Sequence, residues 1–573
     1  MDIELTSDEI VRLYASGELL RALAEGSFGR QTSKLSKTEA LCVDLHNSAA
    51  IDILSLASED SLAVIQKSDF FESTHAIGRL IPHLSTTATS MMQMVDRLII
   101  GAGGDGAANL PNVSLLEWFE GHQDEARAVA ISARQGESLS VRNATFALQA
   151  LKDTEEARRL AKDFADERQM AALTALSRIE EVDKAAYQKS LALFRLLLDQ
   201  SSDDQLKASV LRATTWIFEK CDDIFKASAI DIIRRASTGG GQHTRWSAAL
   251  SLRQHSALIQ SEALDPLIDL LCSVTAGELD TLRAIDGAVH TFSHVGMGQQ
   301  ANKLVAALID KSEGRISLED FPCFVSSFST SGDDLARMTL AWLLSGSHAL
   351  CKGLLWHFQH SGEEAGPVIT IPPDAVPESD VDFEFVARKA VGWLILKPVT
   401  AASILVSLMR FCGEETADDI AELLGSMLLA NYSSVQTYVK TLRDDEKVGK
   451  WIAAQLAVNQ IYRDGLKSVP DLPELRPSDA HLRVQYERRA IRARESGKAA
   501  RKKSVFMSMV KQSRILHGAG TLSMVYGLNG EKHRVDMPFR TIGFSVEMPR
   551  LETIDPVGFD MALRVLRLER RTP

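Results

Sequence analysis

Residues 205–218, QLKASVLRATTWIF, followed by residues 222–236, DDIFKASAIDIIRRA, decide the fold. Apolar residues fall at Leu206, Val210, Ala213 and Ile217 in the first and at Phe225, Ala229, Ile232 and Ala236 in the second. Spacings of three and four residues put each set on one helical face. After the break at Gly239, Gly240 and Gly241 the pattern returns: TRWSAALSL (244–252) is answered by DPLIDLLCSV (265–274). LDTLRAIDGAVHTF (279–292) is then answered by ANKLVAALI (301–309). An amphipathic helix pair cannot bury its apolar faces alone, so recurrence of the pair predicts stacking of neighbours into one continuous core.

The period is read from equivalent positions. Leu211, Leu250 and Ile285 recur at intervals of 39 and 35, and Ile233, Leu271 and Leu308 at 38 and 37. SVRNATFALQAL from Ser140 and MAALTAL from Met170 resemble further first helices. The V-R-x-A-like opening and the absence of a tetratricopeptide Trp-Leu-Gly-Tyr pattern make residues 140–310 resemble HEAT and armadillo repeats. That resemblance implies an α-solenoid whose long surface binds proteins or nucleic acids.

Outward from the repeats, residues 1–135 read as an N-terminal helical region, with Thr6 and Glu9 spaced as a capping box. Residues 136–467 read as the solenoid. LARMTLAWLL and FVARKAVGWLIL continue it around a Pro-rich acidic loop at 366–384. Asp265–Pro266 reads as a helix start, an N-cap followed by proline at the first helical position. Residues 468–513 form a linker, Pro-rich at 470, 473 and 477 and then strongly basic, with a helix expected to about Glu495. From Thr521 the period changes to that of strands. TLSMVY and HRVDM flank Asn529-Gly530, a type I′ hairpin signal, and Ile542 to Met548 alternates like a half-buried strand. Residues 514–573 are therefore expected to form a small α+β domain after a mainly α chain.

Composition bounds the rest. The 573 residues are 45% hydrophobic and 24% charged, the balance of a globular chain. Six cysteines stand singly with no CxxC pair, which reads as buried free thiols in a reducing compartment. MDIELTSDEIVRLY has no basic and apolar leader pattern, and AVGWLILKPVTAASILVSLM (390–409) is broken by Lys397 and Pro398, short of a membrane span. A cytoplasmic protein with no membrane association is expected. The net charge of −12 conceals two regions. From Arg476 onward 20 basic residues face 10 acidic ones, whereas the preceding 475 residues hold 44 basic against 66 acidic.

The motifs for chemistry fail on context. Gly101 to Gly106 matches G-x-G-x-x-G, but a helical pattern precedes it and Pro111 follows, which describes a loop between helices. His290 and His294 lack the Glu of H-E-x-x-H and a third ligand. Cys351 lies 240° from His357 and 180° from His360 on a helix at about 100° per residue, so the His348 cluster scatters. Asp445-Glu446-Lys447 has a nuclease-like form in a helical stretch, where a solvated helix end is expected. Ser545 lacks the closing glycine of a nucleophile elbow, and no P-loop is present. No catalytic residue, cofactor or metal is expected, and a hydrolase or nuclease would have only His517, His533 and Asp536 to use.

What survives is the basic segment. Arg483, Arg488, Arg489, Arg492, Arg494, Lys498, Arg501, Lys502 and Lys503 face only Glu487 and Glu495. Their charges spread round the helical wheel instead of flanking a clean apolar stripe, so the segment is solvated, docked on the acidic body, or held for an anionic partner. Only Tyr486 and Phe506 lie near it for base stacking. The expectation is a non-enzymatic scaffold or adaptor that engages a protein partner through its repeats. The alternative is nucleic-acid binding through residues 483–514.

Overall fold

The computed structural model describes residues 5–27, 35–58, 61–62, 70–102, 109–181, 184, 186–329, 331–362, 364–468, 470, 478–503, 511–517, 520–526, 532–538 and 551–571. The chain is mainly α and divides into two compact units. One comprises Met1–Trp342 with Ser347–His357, the other Leu343–Gly346 with Phe358–Pro573. No described helix is long and apolar enough to cross a membrane.

The first unit opens with α1 (Ser7–Ala15), α2 (Leu19–Ser27), α3 (Lys37–Asn47), α4 (Phe70–Leu80) and α5 (Ala88–Ala102). The Thr6–Glu9 capping box is formed, and Ser36 with Glu39 forms a second. Ile10, Leu19, Ile77, Met91, Trp118 and Phe119 lie in the core that these helices share with their successors. Gly101 and Ala102 end α5, and the remainder of the glycine run, 103–108, lies outside the described residues. Because a helix and not a strand precedes it, the run lacks the frame of a dinucleotide site.

Next come α6 (Asn109–Gly121), α7 (Gln123–Arg134), α8 (Ser138–Leu151), α9 (Thr154–Asp163), α10 (Glu167–Arg178) and α11 (Ala186–Gln200). They are followed by α12 (Asp204–Lys220), α13 (Asp223–Ser237), α14 (Gln242–Gln254), α15 (Leu264–Leu271), α16 (Leu279–His294), α17 (Gly298–Lys311) and α18 (Pro322–Ser329). They pack in two rows. The first runs α6, α8, α10, α12, α14, α16, α18, each helix against the next, and the second runs α9, α11, α13, α15. The apolar stripes explain the rows: Val210, Leu211, Ala213 and Ile217 are buried on α12, and Ala229, Ile232, Ile233 and Ala236 on α13. Asp265 is not an N-cap. A one-turn helix at Ser256–Ile259 leads into α15, which begins at Leu264, so Asp265 sits inside the first turn.

The row is also tied by carboxylates. Asp204 in the first turn of α12 accepts hydrogen bonds from the amides of Gly241 (2.5 Å) and His243 (2.8 Å) and from the Thr244 hydroxyl (2.6 Å), at the start of α14. Asp286 on α16 does the same for α18, accepting from the amides of Cys323 and Phe324 at 3.0 Å each. One first helix thus satisfies the orphan N–H groups of the next. At Gly241 a Cβ would lie 2.7 Å from the Asp204 carboxyl, which is why the break before α14 is glycine.

Helices α19 (Gly332–Ser345) and α20 (His348–Gln359) follow. The second unit holds α21 (Asp380–Leu394), α22 (Pro398–Met409), α23 (Glu414–Leu423), α24 (Ser433–Lys440) and α25 (Gly449–Ser468), with a π-helical turn at Leu424–Leu429. Here α21 packs on α23 and α23 on α25, while α22 packs on α24. The Pro-rich loop ends sooner than expected, because Ser379 caps a helix that takes in residues 380–384. Nor is it a mere interruption: Ile369 and Ile371 are buried, and their amides donate to the Ser403 and Ser407 hydroxyls of α22.

Helix α26 (Asp479–Lys503) continues to Lys503, beyond the expected end at Glu495. Strands β1 (Lys511–His517), β2 (Gly520–Tyr526) and β3 (Lys532–Pro538) form an antiparallel sheet in that order. Tyr526, the last residue of β2, pairs with Lys532, the first of β3. The turn expected at Asn529-Gly530 itself lies outside the described residues. The strand expected at Ile542–Met548 lies outside the described residues. The chain closes with α27 (Pro556–Leu568), started by Asp555, whose carboxylate accepts from the Gly558 amide at 2.9 Å, and by Pro556 at the first helical position.

Helix α27 packs on α21. Lys389 of α21 is fully buried and its ammonium donates to the Arg567 carbonyl at 2.5 Å, a cation held at the carbonyl end of a helix. Arg388 reaches the Glu569 carboxylate at 2.9 and 3.0 Å, Arg571 holds the Asp382 carboxylate at 2.6 and 2.8 Å, and Arg567 donates to the Gly392 carbonyl at 2.6 Å. A Cβ on Gly392 would lie 3.0 Å from Leu566 and 3.2 Å from the Arg567 amide nitrogen, so the two helices meet at a glycine.

Candidate functional site

The basic segment is one unbroken helix. Arg483, Arg488, Arg489, Arg492, Arg494, Lys498, Arg501, Lys502 and Lys503 all lie on α26, a rod of 25 residues and so ~37 Å long. Every described side chain from Asp479 to Lys498 is exposed, and the side chains of residues 499–503 lie outside the description. Among the described residues Arg483, Arg488, Arg489, Arg492, Arg494 and Lys498 form no ion pair, either with Glu487 and Glu495 or with another element. At about 100° per residue these six cations cover roughly 240° of the circumference. Leu482, Tyr486, Ala490 and Ala493 occupy the remainder.

A helix of this kind gains almost nothing from tertiary packing and much from a solvated cationic surface. Tyr486 is 67% exposed and Ile491 49%, so the few large apolar groups do not serve a core. The chemistry on offer is the presentation of guanidinium and ammonium donors to an anionic surface along several turns.

Asp445 and Cys351 resolve into structural roles. Asp445 accepts from the amides of Lys447 (2.9 Å) and Val448 (3.2 Å) and pairs with Arg410 at 2.7 Å. Burial pushes its carboxyl up, but those amides and Arg410 together hold it below the usual aspartate range. It lies in a turn before α25, not in a helix. The rings of His290 and His294 contact edge-to-face with centroids 4.4 Å apart. Cys351 is buried with its thiol against the Trp342 carbonyl at 3.7 Å, and no group of three His, Cys, Asp or Glu suited to a metal occurs among the described residues. The six cysteines are free, and burial pushes Cys42 up to about 12 and Cys412 to about 11, far from a thiolate nucleophile. His517 lies on β1 and His533 and Asp536 on β3, but their side chains lie outside the description.

A cleft of about 810 Å³ opens beside Gly239 and Gly240, lined by Arg234 and by Glu262, Asp265 and Asp269. Sequence reasoning missed it because its walls come from α13 and α15, about 30 residues apart, and none of its residues belongs to a motif.

Comparison of the chain with protein-family models, with curated proteins and with solved structures finds no match.

Proposed function

We propose that this chain is a non-enzymatic binding scaffold: an α-solenoid of HEAT-like helix pairs whose repeat surface engages a protein partner. The observation that carries this reading is the packing of first helices on first helices and second helices on second helices. That arrangement spends the apolar faces on neighbours and leaves long polar faces to solvent, the geometry by which repeat proteins bind. Of the residues that the motifs single out, Cys351 sits in a core and Asp445 holds a turn together. We further assign the three strands and α27 to a small α+β element whose last helix rests on α21.

The test is capture of partners by the tagged full chain, with proximity cross-linking to locate the contact. The scaffold reading expects a specific protein cross-linked to α6–α18. It fails if nothing specific is captured or if every cross-link maps outside the repeats.

A second reading, nucleic-acid binding through residues 483–514, is favoured by one observation: α26 is exposed and its six described cations are unpaired. Phosphate contacts from such a helix are independent of sequence and release counterions. A gel-shift titration of the full chain against a duplex at low salt tests it, with Arg488, Arg489, Arg492 and Arg494 replaced by Glu. Equal binding by the variant, or none by the wild type, ends this reading.

A further inference from the structure

The last helix is apolar on two sides. On the side that packs on α21, Leu566 meets Gly392, Leu563 is buried and Phe559 is half-buried. On the other side Val557, Met561, Val565 and Leu568 fall within an arc of about 80° at about 100° per residue, and Met561 lies roughly 160° from Leu563. Ile554, at the end of the one-turn helix Leu551–Ile554 that precedes α27, extends the row. These five side chains are 51% to 72% exposed, so nothing among the described residues covers them.

An amphipathic helix on the surface of a folded body keeps one apolar stripe, whereas a helix apolar on opposite sides is enclosed on both. Five aliphatic side chains in one row also differ from the singly scattered apolar residues that every surface carries. The row has a symmetry that names its occupant. Its spacings run 3, 4, 4, 3, so it reads the same in both directions about Met561. Turned end for end by a two-fold axis at Met561, a second copy sets Ile554 opposite Leu568, Val557 opposite Val565 and Met561 opposite Met561. Aliphatic groups of like size then meet, at the spacings of three and four residues by which helices interlock.

The charges match as well. Asp560 and Arg564 pair at 2.8 Å beside the row, and both are more than half exposed. The same rotation brings Arg564 of each copy to Asp560 of the other, whereas a parallel copy sets like charge opposite like. The other flank carries Gly558 and Ala562, small enough for close approach of the two helices. Asp560 and Glu569 border the row, which speaks against an anionic membrane as the occupant.

We propose that α27 is the interface of a homodimer, its exposed row covered by the same row of a second copy lying antiparallel across a two-fold axis at Met561. Two copies bury on the order of 1,000 Å² together, at the lower limit for a specific interface, so the association is weak and reversible. It depends on neither the partner of the repeats nor α26.

Sedimentation velocity of the full chain over a range of concentrations tests it. A monomer–dimer equilibrium in the micromolar range is expected. Met561→Glu sets two carboxylates against each other at the axis and is expected to weaken the dimer at least ~tenfold. Should that variant loosen α27 itself, single cysteines read the pairing under mild oxidation, with the wild type and its six native thiols as background. Met561→Cys is expected to cross-link to its own copy, and Val557→Cys to Val565→Cys in a mixture of the two. Val557→Cys alone is expected to cross-link at least ~tenfold less, because the axis holds those two positions apart. The proposal is overturned if the full chain stays monomeric at ~100 μM, as it does when its own residues fold over the row. It is equally overturned if Met561→Glu dimerises like the wild type, or if Val557→Cys cross-links to itself as readily as Met561→Cys.

Discussion

Asp204 illustrates a residue whose importance lies in the next helix of the row. Burial raises its carboxyl, but the Thr244 hydroxyl and the amides of His243 and Gly241 outweigh this and hold it below the usual range. Asp204→Ala removes the acceptor and strands the first amides of α14, so a loss of about 2 kcal/mol is expected in urea unfolding at unchanged m-value. Asp204→Asn keeps one acceptor and is expected to recover about half. An Asp204→Ala variant as stable as the wild type would show that water caps α14 equally well. The Thr6–Glu9 box was legible because both partners lie within one turn of sequence, whereas Asp204 finds its partners 37 to 40 residues on.

Among the elements, α27 has the most to teach. Its amphipathic pattern was plain, and so was its start at Asp555–Pro556; that it docks on α21 was not, because the contacts span 175 to 189 residues. Gly392→Ala places a methyl against Leu566 and the Arg567 amide, and overpacking of this kind costs about 1–3 kcal/mol. Hydrogen exchange of residues 556–571 is expected to accelerate in this variant while exchange in α8–α14 stays unchanged; global acceleration would mean that α27 is no separate element.

The same docking responds to acid. Arg571 holds the Asp382 carboxyl below its usual range, an influence larger than the opposing effect of burial. A carboxyl depressed on folding stabilises above its unfolded pKa of about 3.9, and that contribution disappears as pH falls through the folded value. Asp382→Asn is therefore expected to speed exchange in residues 556–571 at pH 7. Wild type and variant should begin to approach one another below about pH 4 and meet only once pH lies below the lowered folded value. A difference that does not shrink as pH falls from about 4 to about 2 would mean that the charge of Asp382 is not what counts.

For the whole molecule, the division of charge sets the behaviour to be measured. If α26 meets phosphates with its six described cations, affinity for a DNA duplex should fall about a thousandfold between 50 and 200 mM salt. Replacing Arg488, Arg489, Arg492 and Arg494 by Glu should flatten that dependence, read by fluorescence anisotropy. A salt-independent affinity would place binding on uncharged surfaces instead. By itself the sequence determined that the chain is mainly α, where the helix pairs run, which residues form their cores and that the basic charge gathers in one segment. Those properties depend on apolar period and local charge, which act within a few turns. Only the tertiary structure decided which carboxylate caps which helix and that the last helix rests on α21. Each of these depends on burial and on partners brought together from distant sequence, and neither solvent exclusion nor a shared neighbour leaves a mark on local pattern.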